Sequence, residues 1–324
     1  MIATNIDSNA PHNLVYLLGQ SPDVRKLHTF IVRIAKTDEH VLVVGEIGTG
    51  KKILAEFIHQ RSPRKHKALV SVNCTMLVEP EAEKELFGNT EEVGDTIHRH
   101  VGSLEEANGG TLLLENVEDL GENLQQKLTL VLREKTIRSN GTKKDIDIDV
   151  RVISTTNVDL AEQVKLGNFR QDLFLILNSF VVEIPPLRKR KQDIPVLFEH
   201  FLKKHCEESG RKIPSVPISI FEPLLEYNWR GNVEELERCT RNLVLLSPEG
   251  ELSTEFLPFK IKENPFEFLK GRNLEEAISE LEKYLISAAL RRFGGNRSKA
   301  AIYLNVSEAT VRYKMRKYGI ADEF

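Results

Sequence analysis

Through the first half of the chain, short apolar runs alternate with stretches of helical periodicity. After a polar opening at residues 1–13, Ser21 to Thr37 carries apolar positions at helical spacing, with Ser21 as N-cap and Pro22 at the first helical position. His40-Val41-Leu42-Val43-Val44 is a compact apolar run ending at a glycine, which reads as a buried strand, and Lys51–Gln60 follows as a helix. Further strands are predicted at Leu69–Val72, Thr111–Leu114, Arg151–Thr156 and Val181–Ile184, the last stopped by Pro185-Pro186. Apolar strands separated by helical stretches predict an α/β fold with a parallel sheet covered on both faces. Beyond Pro186 the pattern turns helical, at Asp193–Cys206, Ile218–Tyr227 and Val233–Leu246. Ser247 to Arg272 is rich in Pro, Glu, Lys and Phe and reads as a linker, before a last helical block from Leu274 to Tyr318. The expected units are a frayed N-terminus (1–13), an α/β core (14–188), a helical lid (189–260), a linker (261–273) and a C-terminal all-α module (274–324).

Composition alters this picture in one place. The 324 residues carry a formal net charge of −3 with 40% hydrophobic and 29% charged residues, an ordinary globular balance that excludes a mainly disordered or fibrous chain. Residues 291–318, however, hold eight basic side chains against Glu308 alone, a local +7 that leaves −10 for the rest. No apolar run reaches the ~18 residues of a membrane span. The opening residues lack a basic and apolar leader, and three cysteines (Cys74, Cys206, Cys239) are too few for a disulfide scaffold. The expected location is cytoplasmic, in a reducing environment, with no membrane partner.

Two stretches carry chemistry. Gly45-Glu46-Ile47-Gly48-Thr49-Gly50-Lys51-Lys52 lies between a predicted strand and a predicted helix and matches the phosphate loop G-x-x-x-x-G-K. Its glycines let backbone N–H groups wrap phosphate oxygens, the helix N-terminus adds positive potential, and Lys51 supplies a charge for the β- and γ-phosphates. The expected cofactor is ATP. The final Ser or Thr, the ordinary hydroxyl ligand of Mg²⁺, is replaced by Lys52.

The second stretch is Leu274–Ile320. Leu274, Ala277, Ile278, Leu281, Leu285 and Ala288 predict a first helix packed along one face. Gly294-Gly295 breaks it, Asn296 caps a second helix running to Leu304, Asn305-Val306 turns, and Ser307 caps a third, Glu308–Tyr318, ending at Gly319. Helix, short turn and basic helix make a helix-turn-helix, so double-stranded DNA is the expected partner. Ser307, Glu308, Thr310, Val311 and Arg312 stand at the N-terminus of the recognition helix. Arg312 is the candidate for guanine, and Thr310 or Val311 for a thymine methyl. Lys314, Arg316, Lys317, Arg297 and Lys299 are the candidates for phosphate. Ala300, Ala301, Leu304, Val311 and Met315 are expected to hold the helices together.

Several ordered motifs resemble the AAA+ enhancer-binding activators of sigma-54 RNA polymerase: Leu18-Gly19-Gln20-Ser21-Pro22, Gly45–Lys51, Val72-Asn73-Cys74, Glu85-Leu86-Phe87-Gly88 and Ala107–Leu112, then Thr156-Asn157, Phe169–Leu173, Ile184–Arg188 and Trp229–Val233. The tail resembles the family's Fis-type module, and the arrangement resembles the short phage-shock-type members that lack a receiver domain. The resemblance implies an AAA+ sheet with a helical lid. It also implies self-association, as a dimer on paired half-sites and a hexameric ring through the AAA+ domain, with the loop of one subunit facing Arg170 of the next.

It also exposes departures. Where the family has a strand followed by Asp-Glu, one residue for the Mg²⁺ shell and one to activate water, this chain has Glu115-Asn116. Glu115 is the candidate for holding Mg²⁺, but Asn116 cannot act as a general base. The resemblance also assigns Asn157 and Arg170 to the catalytic set. A second arginine, expected six residues after Arg170, is Ile176, and the lid arginine is Glu234, whose charge Arg230 or Lys52 would have to offset. The family's sigma-contacting loop G-A-F-T-G-A is absent, and Asn89–Val101 reads as a plain surface loop.

These readings favour a regulator that binds ATP and specific DNA, hydrolyses weakly or not at all, and does not act on sigma-54. Two alternatives stand beside it: an active ATPase that remodels the polymerase, and a protein that binds a related activator's ring. His200, His205 and Cys206, and His98 with His100, lack metal-ligand spacing, so no protein-only metal site is expected. Cys74 and Trp229 read as packing residues, and Ser154 and Thr155 have no histidine partner for hydrolase chemistry.

Overall fold

The computed structural model describes residues 19, 21–93, 96–137, 145–247, 250–258, 261 and 273–320. The chain divides into two units, Met1–Leu257 and Pro258–Phe324.

The first unit begins with α1 (Pro22–Ala35). Ser21 caps it, its Oγ accepting the Val24 N–H and donating to Asp193 Oδ2 at 2.7 Å. At the other end the fully buried Arg151 donates to the carbonyls of Ile34, Ala35 and Glu39 at 3.0–3.1 Å. A cation meets the negative end of the helix, and the carbonyl of its last residue, Ala35, gains a donor.

There follow β1 (Val41–Val44), α2 (Lys51–Gln60), β2 (Leu69–Asn73), α3 (Glu81–Phe87), β3 (Asn89–Val93), β4 (Thr96–His100), α4 (Ser103–Glu106) and β5 (Thr111–Glu115). Then come α5 (Glu122–Glu134), β6 (Thr136–Ile137), β7 (Ile146–Asp147), β8 (Arg151–Thr156), α6 (Leu160–Leu166), α7 (Gln171–Leu177) and β9 (Phe180–Glu183). Five strands form one parallel sheet in the order β2-β5-β8-β1-β9. Strand alternation sends Leu42, Leu112, Leu114 and Val152 into one apolar layer and Val41, Val43, Leu113 and Ile153 into another. Both faces of the central strands β1, β5 and β8 are therefore buried, and β1 and β5 read as continuous apolar runs.

Register aligns the carboxyl ends: Val44 pairs with both Thr156 and Glu183, and Leu114 with Ser154. The turn after β1, the end of β5 and the end of β8 thus converge on one edge of the sheet, where ligands of open α/β sheets bind.

Two expectations change in this unit. The segment expected as a plain surface loop contains an antiparallel pair, β3 with β4, with Asn89 opposite His100 and Val93 opposite Thr96. Neither strand alternates apolar with polar residues, so the pairing left no hydrophobic period to read. The beginning of the expected linker is also structured. Leu252 and Leu257 are buried, and Ser215 bridges to Glu251. The remainder, 262–272, lies outside the described residues.

The lid consists of α8 (Ile194–Glu208), α9 (Phe221–Glu226) and α10 (Asn232–Leu246). The fully buried Trp229 donates its indole N–H to Leu224 O at 2.7 Å and meets Tyr227 edge-on, joining α9 to the turn before α10.

The second unit holds three helices, Leu274–Arg292, Arg297–Tyr303 and Glu308–Tyr318. Asn296 and Ser307 cap the latter two by accepting the N–H of Lys299 and of Thr310, each at 3.0 Å, and Gly319 closes the last with φ 61°. Its core joins Ile286, Ala289 and Leu290 to Ala300, Ala301, Val311 and Met315, with Leu304 packed against them. The stripe expected to pack the first helix lies elsewhere. Ile278 and Leu285 are about half exposed and Ala288 is exposed. The helix carries two apolar stripes, and the one nearer its C-terminus serves its own core. The side chains of Leu274 and Ala277 lie outside the described residues. Among those described, no helix is long and apolar enough to cross a membrane.

Candidate functional site

The Gly45–Lys52 loop joins β1 to α2 at the converging edge, anchored by Gly45 N–H donating to Thr156 O at 3.1 Å. Gly48 and Gly50 take positive φ, 76° and 94°, open to glycine at no steric cost. Thr49 Oγ1 donates to Glu46 O at 2.7 Å, and Lys51 Nζ donates to Gly45 O and Glu46 O at 2.7 and 3.1 Å. Burial pushes the Lys51 ammonium below its ordinary pKa, while the charge of Glu118 opposes the shift.

The lid closes directly on this loop. Val233 N–H and Glu234 N–H, in the first turn of α10, both donate to Gly48 O at 3.0 and 3.2 Å. Asn232 Nδ2 donates to Ile47 O at 2.9 Å, and its Oδ1 accepts the Leu187 N–H at 2.9 Å. Arg188 grips the Glu46 carboxylate with both terminal nitrogens at 2.5–2.6 Å. Arg188 and Asn232 together hold Glu46 down at about 2. Glu234 itself is exposed beside the loop, its Cβ 3.2 Å from where a Gly48 side chain would begin.

At the end of β5, Glu115 Oε1 accepts from both Lys52 Nζ and Ser71 Oγ, each at 2.7 Å. A Mg²⁺ ion in such a site normally takes a hydroxyl after the loop lysine and a carboxylate on the neighbouring strand. The residues here do not fit it, because an ammonium replaces the hydroxyl and already engages the carboxylate. Glu115, the residue expected to hold Mg²⁺, has one carboxylate oxygen engaged in this way. Lys52 gives one of its three donors to Glu115.

Asn116, with φ 54°, donates through Nδ2 to Asn73 Oδ1 and Thr75 Oγ1, both at 3.2 Å. Its side chain is an amide, which cannot take up a proton at neutral pH. Asn157 follows β8, and its backbone N–H donates to Glu118 Oε1 at 3.1 Å. Arg170 caps the start of α7, and its guanidinium pairs with Asp172 at 2.8–3.1 Å, which raises the arginine's pKa and lowers the aspartate's. Its backbone N–H donates to Gln125 Oε1, and Ile176 is half-buried on the same helix.

The motif reading missed Glu118. One carboxylate oxygen is fixed by Asn157, and Oε2 is buried with no hydrogen-bond partner among the described residues. The signal was an acid three residues beyond Glu115, which one short turn, Val117–Asp119, returns to the same edge.

In the helical unit the predicted DNA-contacting residues divide. Val311 is fully buried in the core and cannot meet a thymine methyl. Lys314 pairs with Glu282 of the first helix at 2.5 Å. Ser307 and Thr310 are joined, Oγ to Oγ1, at 2.8 Å within the cap. Glu308 accepts from Ser298 Oγ at 2.5 Å and from Arg312, whose guanidinium is exposed. Lys299, Arg316 and Lys317 are exposed, and Arg297 is half-buried at the start of the second helix. Arg292 lies over the ring of the exposed Tyr303, 4.9 Å from its centre.

Family models match three successive parts of the chain: a sigma-54 interaction domain over residues 17–183, an AAA+ ATPase lid domain over 188–269, and a bacterial regulatory protein of the Fis family over 277–318. Similar curated proteins include the signal-transduction and transcriptional-control protein of Clostridium beijerinckii. It is 36% identical over 317 residues, covering 97% of this chain and 50% of that protein. Nitrogen fixation protein AnfA of Azotobacter vinelandii is 36% identical, covering 94% and 58%. Transcriptional regulatory protein ZraR of Escherichia coli K12 is 35% identical, covering 93% and 68%. The chain thus spans about half the length of the first two. Among solved structures, NtrX from Brucella abortus in complex with ADP superposes with a TM-score of 0.70 at 32% identity, covering 94% of this chain and 69% of that one. By its matched domain and these relatives, the chain belongs to the sigma-54 interaction domain family of AAA+ proteins.

Proposed function

We propose that this chain is an ATP-binding, sequence-specific DNA-binding regulator of transcription in which nucleotide serves as a ligand and hydrolysis is weak or absent. The observation that carries the reading is Asn116. It occupies the place of the water-activating carboxylate, and its amide is held by Asn73 and Thr75. Ile176 in place of a second arginine and Glu234 beside the loop point the same way. Nucleotide binding draws on the loop geometry and on relatives crystallised with ADP and ATP. DNA binding draws on the local +7 and the exposed Arg312, Arg316 and Lys317. The exposed Ile278 and Leu285 give the first helix a second apolar stripe, which suits pairing with another copy on paired half-sites. Without G-A-F-T-G-A in Asn89–Val101, regulation proceeds without remodelling sigma-54 polymerase.

Steady-state phosphate release tests the first part: turnover is expected at the level of a Lys51→Ala control, and multiple turnovers above it would refute the reading. ATP-driven transcription from a sigma-54 promoter in a purified system would refute the last part.

A second reading, an active ATPase, is favoured by Glu118, a carboxylate poised at the end of the sheet with one oxygen unpartnered. It predicts turnover that Glu118→Gln abolishes while nucleotide binding persists.

A further inference from the structure

We infer that Lys52 takes the place of the divalent cation, so that this site binds a nucleoside triphosphate without magnesium. The inference rests on the proposed nucleotide binding and goes beyond it by assigning the counter-ion. In a phosphate loop, the residue after the lysine and the carboxylate at the neighbouring strand end together position Mg²⁺ against the β- and γ-phosphates. Here those two positions, 63 residues apart in sequence, are bonded to each other, Lys52 Nζ to Glu115 Oε1 at 2.7 Å. Ser71 Oγ occupies the same carboxylate oxygen at the same distance.

An incoming Mg²⁺ would have to displace an ammonium and a hydroxyl from that oxygen, or bind the other carboxylate oxygen with the ammonium beside it. It would also sit within a few ångströms of a second cation, though Mg²⁺ demands near-ideal octahedral geometry and gives up its water reluctantly. The ammonium has three donors, of which the carboxylate takes one. The Lys52 side chain is 52% exposed, so its remaining donors are accessible to phosphate oxygens, whereas Glu115 is 19% exposed and held beneath it. The pair therefore does part of the metal's work, presenting positive charge at a fixed place. It does not offer the metal's Lewis acidity toward a transferring phosphoryl group. A site so arranged favours holding nucleotide over cleaving it, in keeping with Asn116.

The test is calorimetric titration of the full chain with ATP, once in excess EDTA and once in saturating MgCl₂. The expected result is binding in both, with dissociation constants within about threefold of each other. Lys52→Ser restores a hydroxyl and frees Glu115, and its affinity is expected to rise by at least about tenfold on adding Mg²⁺. Wild-type binding that requires Mg²⁺ would overturn the inference while leaving nucleotide binding intact. No binding in either condition would overturn nucleotide binding itself. A Lys52→Ser protein that melts like the wild type yet stays indifferent to Mg²⁺ would overturn the assignment to Lys52.

Discussion

Substituting alanine for Gly48 probes the clasp between lid and phosphate loop. Two effects act at this position. The residue sits at φ 76°, where an L side chain costs about 1–2 kcal/mol. In addition, a Cβ there would begin 2.2 Å from Gly231 O, so the lid must retreat by roughly 1 Å to reach ordinary contact. That retreat stretches three bonds, from Val233 N–H and Glu234 N–H to Gly48 O and from Asn232 Nδ2 to Ile47 O, now 2.9–3.2 Å long. At about 1 kcal/mol each their loss adds about 3 kcal/mol. Gly109 separates the two effects, because it has the same φ, 76°, and nothing within 4 Å of its would-be Cβ. Gly109→Ala therefore reports backbone strain alone. For a unit of this size each kcal/mol moves the melting temperature by about 2–4 °C, so by scanning calorimetry Gly48→Ala should melt at least about 6 °C below Gly109→Ala. Equal melting of the two variants, within about 2 °C, would refute the claim that the lid is seated on the loop.

Three further outcomes are expected. Arg151→Leu removes the guanidinium donor from the carbonyls of Ala35 and Glu39, while Ile34 O keeps the Thr37 N–H and hydroxyl. It should destabilise the first unit by about 3–5 kcal/mol in urea unfolding, and a change below about 1 kcal/mol would contradict it. The depressed pKa of Glu46 contributes stability that is fully present above its ordinary value near 4.5 and is lost as pH falls toward about 2. Glu46→Gln should thus flatten the decline in melting temperature below pH 4.5, and an unchanged acid limb would argue against the Arg188–Glu46 pair. In DNA-binding titrations, Arg312→Ala should relax sequence preference, and Lys317→Ala should weaken all sequences alike and lower the salt slope by about one. Lys314→Ala should instead lower the melting temperature of the helical unit and leave the salt slope unchanged. Indistinguishable behaviour of the three would refute this division.

The parts of the fold visible in sequence were those written in one local period. β1 and β5 are apolar runs because both of their faces are covered, and Lys51–Gln60 and Glu308–Tyr318 are marked by glycine and serine at their starts. The β3–β4 pair escaped because Thr90, Glu91, His98 and Arg99 put polar residues opposite one another. Its one signal was the two-residue Gly94-Asp95 between the runs. The loop, Asn116 and the caps were legible as residue types at fixed spacing. The Lys52–Glu115 pair was not, since it depends on which strands neighbour each other, and sequence order hides that β5 reaches β1 only through β8. Val311, read both as a groove contact and as a core residue, is in the core, and the Lys314 pairing with Glu282 was not legible, for a related reason. Helical spacing ranks positions around an axis, but only the first helix, with Ala289, Leu290 and Glu282, decides which of them face inward.

The attachment of α10 to Gly48 makes that helix a lever with its fulcrum on the phosphate loop. Its 15 residues extend about 22 Å, so a tilt of roughly 5° at the loop carries the far end through about 2 Å. Because Val233 and Glu234 grip the backbone of the loop rather than a side chain, a displacement of Gly48 would pass directly to the first turn of α10, whatever side chains the loop carried.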